Sequence, residues 1–141
     1  MKKLSQMNFE EGANAIGTLS MAFADILDNE KVDNIINNTF DWNSFIKKGE
    51  SGKPEPDYPT IIKTITKGGA KILTRVLGVL LKENFKSVVE IVSIFTEKSE
   101  EEVKKMNVLE VTKIIKEIFQ DEDLIKLFTS VQLEKQLEAT E

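Results

Sequence analysis

Apolar positions recur at three- and four-residue intervals along most of the chain, and polar positions do not alternate with period two. At 3.6 residues per turn, that spacing gathers apolar side chains on one face of a helix. Ala13, Ile16, Leu19, Met21, Ala22, Phe23, Ile26 and Leu27 form the first such face, with Gly12 and Gly17 weakening its start. Asp28 or Asn29 is suited to cap a second helix carrying Val32, Ile35 and Ile36. Asp41 is suited to cap a third, with Trp42, Phe45 and Ile46.

The pattern stops at Lys48-Gly-Glu-Ser-Gly-Lys-Pro-Glu-Pro-Asp-Tyr-Pro59, which holds all 3 prolines of the chain. Proline lacks the N–H a helix needs and disfavours helix at the residue before it, so a loop or mobile linker is expected here. Helical periodicity resumes at Thr60 and lasts to Phe128. Ile61, Ile62 and Ile65 open it, and Gly68-Gly69 is expected to interrupt it. Ile72, Leu73, Val76, Leu77, Leu80 and Leu81 follow at clean spacing. Phe85, Val88, Val89, Val92 and Phe95 repeat it, and Ile91 and Ile94 widen the stripe, as in a helix buried on more than one side.

Two capping boxes are predicted, Ser99 with Glu102 and Asn107 with Glu110. Glu100–Lys104 and Glu101–Lys105 stand at the favoured i,i+4 spacing. Val111, Ile114, Ile115, Ile118 and Phe119 give the next helix its buried face. Asp121 then caps a last short helix, with Leu124, Ile125, Leu127 and Phe128. Beyond it the chain turns polar, through Gln132, Glu134, Lys135 and Glu138, and either frays or extends helically on Val131, Leu133 and Leu137. The expected fold is a single all-α domain of six or seven helices. It comprises an N-terminal helical segment 1–48, a Pro/Gly loop 49–59, a helical core 60–130 and a polar tail 131–141.

Composition narrows the chemistry. With 40% hydrophobic and 30% charged residues in 141, the chain can bury a core and is not a disordered polyelectrolyte. It has no His and no Cys, which removes imidazole bases, thiolate nucleophiles, thiolate zinc sites and disulfides. Lys2 and Lys3 are followed by Ser5, Gln6, Asn8, Glu10 and Glu11 where a signal peptide would be apolar. The longest apolar stretch, around Ile72–Leu81, is interrupted by Arg75 and falls short of the roughly 20 residues of a membrane span. A soluble cytoplasmic protein is expected.

Charge is unevenly spread: residues 1–46 carry a net −4, 47–86 a net +5 and 87–141 a net −6, within a total of −5. Either the basic middle packs between its acidic neighbours or it is a docking face for an anionic partner. Lys63, Lys67, Lys71 and Arg75 are spaced by four and form one basic stripe if the helix continues through Gly68-Gly69. A solvated face, a contact with an acidic protein surface and a contact with nucleic acid phosphates are the three readings of that stripe.

Two other clusters lose their first appeal. Gly49-Glu-Ser-Gly-Lys53 resembles a phosphate loop, but Lys47 stands at the first glycine position and Pro54 at the hydroxyl position. Asp121, Glu122 and Asp123 lack the alternate ligand spacing and turn glycine of a calcium loop, and helix capping explains them. No catalytic residue, cofactor site or metal site is assigned. Ile114, Ile118, Phe119, Leu124 and Phe128 are either core or the lining of a groove for a partner helix or a second copy.

The run Asn84-Phe-Lys-Ser-Val-Val-Glu-Ile-Val-Ser-Ile-Phe-Thr-Glu-Lys-Ser-Glu-Glu-Glu-Val-Lys-Lys-Met106, continued by Val108-Leu-Glu-Val-Thr-Lys-Ile-Ile-Lys-Glu-Ile-Phe-Gln-Asp-Glu-Asp-Leu-Ile-Lys-Leu-Phe128, resembles the tail assembly chaperones of long-tailed bacteriophages and prophages of Gram-positive bacteria. The shared features are a helix ending near Thr96, a short helix ending at Met106, and a long helix running into an acidic turn and a Leu/Phe-rich end. The resemblance covers about Ile72–Phe128, is weaker over Thr60–Lys71 and does not reach the first 50 residues.

The resemblance implies a small helical, non-enzymatic protein without cofactors. It implies binding of the tape measure protein, which is kept soluble while tail tube protein assembles around it in the host cytoplasm. It also implies absence from the mature virion, and a longer frameshifted product whose junction the polar stretch Gln132–Glu141 would suit. The groove is expected on the last two helices, around Ile118, Phe119, Leu124 and Phe128. A structural or adaptor protein of the particle and a nucleic-acid-binding regulator are the alternatives.

Overall fold

The helices begin where a short polar side chain can take an orphan backbone N–H. A computed structural model describes residues 1–140, with side chains described at all of these except 70, 131, 132 and 134–140. Asn8 caps α1 (Phe9–Asp28), its side chain accepting from Glu11 N at 2.9 Å. Asn29 caps α2 (Glu30–Thr39) and Asp57 caps α3 (Tyr58–Glu83), with Pro59 in the first turn, where no N–H is missed. Asn84 separates α3 from α4 (Phe85–Thr96). Then follow α5 (Glu100–Lys104), α6 (Val108–Ile118) and α7 (Glu122–Thr140). The chain is therefore predominantly helical, as its periodicity predicts.

The Ser99–Glu102 capping box forms, Ser99 Oγ accepting from Glu102 N at 3.2 Å while the Glu102 carboxylate accepts from Ser99 N at 3.3 Å. Asn107 caps α6 through Leu109 N, at 2.8 Å, rather than through a box with Glu110. Glu101 pairs with Lys104 at i,i+3 and 3.3 Å, not in the two i,i+4 pairs that the spacing suggests.

Three larger expectations are corrected. First, α3 does not break at Gly68-Gly69 but runs for 26 residues through both glycines. Neighbouring good helix formers and burial of Leu73, Val76 and Leu80 outweigh the roughly 1 kcal/mol that each glycine costs relative to alanine. Second, the expected third helix is only a 3₁₀ turn, Trp42–Phe45, and Ile46 leaves it as a strand.

Third, the Pro/Gly loop holds a two-stranded antiparallel hairpin, β1 (Ile46–Lys48) with β2 (Pro54–Pro56). Its register pairs Ile46 with Pro56, Lys47 with Glu55 and Lys48 with Pro54. Gly49 N donates to Lys53 O and Asp57 N to Phe45 O, so hydrogen-bonded and non-bonded pairs alternate between those two ends. Both prolines fall on non-bonded pairs, where the ladder requires no N–H. Gly52, at φ +76°, supplies the left-handed residue of the turn.

The N-terminal segment belongs to the same core as the rest. α1 lies against α4 and α7, while α3 lies against α2, α4 and α7. Phe23, Phe45, Phe95, Ile61, Ile118 and Leu124, drawn from both halves of the chain, are fully buried. A polar junction fastens the corner between α1 and α2 to the corner between α3 and α4. Ser87 Oγ and Asn84 Nδ2 both donate to the Asp25 carboxylate, at 2.7 and 3.3 Å, and Asn29 Nδ2 donates to Asn84 Oδ1 at 2.9 Å. The amino-terminal strand of chain is held by Lys2, whose N–H donates to Phe95 O at 2.9 Å.

α7 carries the polar tail helically to Thr140, with Leu133 buried. The side chains expected to make that tail polar, at 132, 134, 135, 136, 138 and 140, and residue 141 itself, lie outside the described residues, as do those of Val131 and Leu137. Among the described residues no helix is long and apolar enough to cross a membrane.

Candidate protein-docking site

Where α2, α3 and α7 converge over α1, the side chains do not close completely. They leave an apolar crevice of about 60 Å³. Core residues such as Phe23, Val76 and Leu124 form its floor. The half-buried Phe40, Ile65, Gly69, Ile72, Phe119 and Phe128 form its rim. Each wall has a local cause. Phe40 ends α2 and stacks into a cluster with Trp42 and Phe45, at centroid distances of 5.9 and 5.7 Å. Trp42 Nε1 donates to Asn37 Oδ1 at 2.7 Å, which satisfies the one polar group of that cluster. Phe128 stands edge to face with Phe23 and with Phe119, at 5.4 and 6.4 Å.

The crevice is small. Small-molecule sites run from roughly 300 Å³ upward, so this volume suits the tip of one apolar side chain. Its lining is almost wholly carbon, which disfavours water. Chemically, it can accept an apolar side chain presented by another helix.

Of the five apolar residues predicted to bind a partner, Phe119, Leu124 and Phe128 line this crevice. Only Phe119 and Phe128 reach its rim, because Leu124 is 2% exposed. Ile118 is also 2% exposed; it belongs to the core and lines a second, smaller space of about 20 Å³ beside α4. Ile114 is half-buried on α6 and does not line the crevice. The groove is therefore not confined to the last two helices. Phe40, Ile65 and Ile72, on α2 and α3, complete it.

Lys63, Lys67, Lys71 and Arg75 all lie on the exposed face of the unbroken α3. No ion pair holds any of them among the described residues, whereas Lys2, Lys31 and Lys104 are paired with carboxylates.

Some large apolar residues stand exposed away from the crevice. Phe9 is 92% exposed, and Met21 and Leu109 are each 76% exposed. Ala13, Ile16 and Met21, expected on the buried face of α1, point outward instead. The available signal was the absence of any charge from Gly12 to Ala24, which makes both faces of α1 read as apolar.

Asp121 caps α7 as predicted, its Oδ1 accepting from Asp123 N at 2.9 Å. Its buried Oδ2 has no hydrogen-bond partner. Among the described residues no group of three or more metal-ligating side chains gathers. The Glu11 carboxylate bonded to the Lys2 ammonium, with Glu97 adding to it, raises Lys2 above its ordinary 10.5 against the opposing effect of burial. No protein-family model, no curated protein and no solved structure matches the chain.

Proposed function

We propose that this chain is a non-enzymatic tail assembly chaperone that binds amphipathic helical segments of a phage tape measure protein in the host cytoplasm. The observation that carries the proposal is the apolar crevice rimmed by Phe40, Ile65, Ile72, Phe119 and Phe128. Phe119 and Phe128 belong to the stretch whose sequence resembles that family. A long partner with repeated apolar stripes needs only modest affinity at each stripe, because many chaperone copies along one chain cover it together. A shallow crevice that takes one side chain fits weak, repeated, sequence-tolerant contacts.

Purified virions of the phage, or of the induced prophage, test the assignment. A chaperone is present in assembly lysates bound to tape measure protein and absent from finished particles. A structural or adaptor protein is retained in particles at fixed stoichiometry, and that result would overturn the proposal.

A further inference from the structure

The face of α1 turned away from the core is apolar and open. At about 100° per residue, Ala13, Gly17 and Ala24 fall within one arc of about 40°, with Phe9 and Ile16 along one edge and Met21 along the other. All six are exposed, and no charged residue lies between Gly12 and Ala24. Small residues between larger ones make a shallow trough about 22 Å long, four turns of helix. A second helix can approach closely there, because the side chains at a contact set the distance between helix axes. Phe23 and Ile26, through which α1 meets the crevice, stand about 120–180° around the axis from Gly17 and Met21. The trough is therefore a separate surface.

Three features of this face disfavour the isolated chain. Phe9 and Met21 leave large apolar side chains in water. Gly17 weakens the helix interior, yet a Cβ built there meets nothing within 4 Å, so no contact inside the molecule requires a glycine. Asp28 is the C-terminal residue of α1, at the negative end of the helix dipole, and α1 has no basic residue in its last turn. One occupant relieves all three: an apolar helix lying in the trough with a cation over Asp28.

The other end of the trough is acidic too. Glu10 and Asp28 lie at the same angle around α1, on the line of the trough, about 27 Å apart. A second copy laid along this face would set acid against acid at the ends, whether parallel or antiparallel, so the charges favour a different partner.

We infer that α1 carries a second docking surface, distinct from the crevice, for an amphipathic helix whose apolar stripe is closed at both ends by Lys or Arg. This extends the helix binding proposed above, and it does not depend on the partner's being a tape measure protein.

Two designed helical peptides of about 20 residues test the inference on the full-length chain. They share one alanine and leucine stripe, closed at both ends by lysine in one peptide and by glutamate in the other. The lysine peptide is expected to bind at least about tenfold more tightly at low salt, with the preference shrinking as salt is added. Gly17→Gln fills the trough and should weaken binding to a similar degree. The same change favours the helix, so the loss cannot be ascribed to unfolding. Met21→Gln is an independent second variant. Asp28→Lys, which suits the dipole, should remove most of the charge preference.

Equal binding of both peptides, or binding that survives both Gly17→Gln and Met21→Gln, overturns the inference. Loss of the peptide in the crevice variant Ile72→Gln but not in Gly17→Gln also overturns it, in favour of the crevice. A chain that sediments as a dimer and becomes monomeric in Gly17→Gln overturns it in favour of a second copy. If the lysine preference is found at the trough but tape measure protein does not bind, the inference holds and only the chaperone assignment fails.

Discussion

Phe128 on α7 stands edge-on to Phe23 on α1, ring centroids 5.4 Å apart and planes at 89°. Phe119 meets the other side of the Phe128 ring at 6.4 Å and 80°. One ring thus links the fully buried core, at Phe23, to the rim of the crevice. Phe128→Ala should cost about 2 kcal/mol, less than the roughly 3–5 kcal/mol of a fully buried phenylalanine, because the ring is only half-buried. Chemical denaturation checks this. A cost near zero would mean the ring pair does not hold α7 to α1.

The Asp25 carboxylate accepts from both Ser87 and Asn84, two buried residues more than 55 positions away in sequence. Asp25→Ala strands the buried Ser87 hydroxyl and leaves Asn84 Nδ2 only the Asp25 backbone O at 3.5 Å, and should destabilise by about 1–3 kcal/mol. Ser87→Ala removes one donor together with its need and should cost less. A double-mutant cycle between them should show coupling, since the pair shares one bond. Additive effects would remove this junction from the account.

α3 carries glycine at 68, 69 and 78, and a Cβ built at any of the three meets nothing within 4 Å. Each glycine in a helix interior costs up to about 1 kcal/mol relative to alanine. Gly68→Ala, Gly69→Ala and Gly78→Ala should therefore each stabilise by about that amount and raise Tm by a few degrees. Calorimetry on the three variants checks it. Destabilisation at 68 or 69 would show that α3 is not continuous there.

Lys2 is held by Glu11 and, at 3.7 Å, by Glu97. Its pKa is raised in the folded chain above 10.5, so its contribution to stability is fully present below about pH 10.5. That contribution disappears as pH rises through the higher folded value, when the ammonium loses its proton. The Tm of the wild type should exceed that of Lys2→Met by a constant margin from about pH 8 to about pH 10, and the margin should close above that. A margin that does not depend on pH would assign the effect to packing of the lysine stem.

Much of this fold is legible residue by residue. Asn29, Ser99, Asn107 and Asp121 sit where a capping residue is needed, and each caps. The hairpin was hidden because Pro54 and Pro56 suppress a strand assignment; only their register, two apart on non-bonded pairs, makes them compatible with a ladder. Gly68-Gly69 reads as a break locally, but tertiary burial on both sides carries the helix through.

The candidate site was legible in part. Periodicity identifies an apolar face but not which of its members stays uncovered. Ile118 and Phe119 are neighbours in sequence, yet one is core and the other is rim. Phe40, Ile65 and Ile72 belong to the site through tertiary contact alone. The basic stripe follows from spacing, whereas the exposure of all four of its cations is a fact of the folded surface.

The most direct test of the proposed function is co-expression of this chain with a phage tape measure protein, measuring how much of that protein stays soluble and co-purifies. The account predicts that the wild-type chain keeps it soluble and bound. It also predicts that a folded rim variant, Phe119→Gln or Ile72→Gln, loses most of that protection. Tape measure protein that stays insoluble and unbound beside the wild-type chain, or is protected equally by the rim variants, would contradict it.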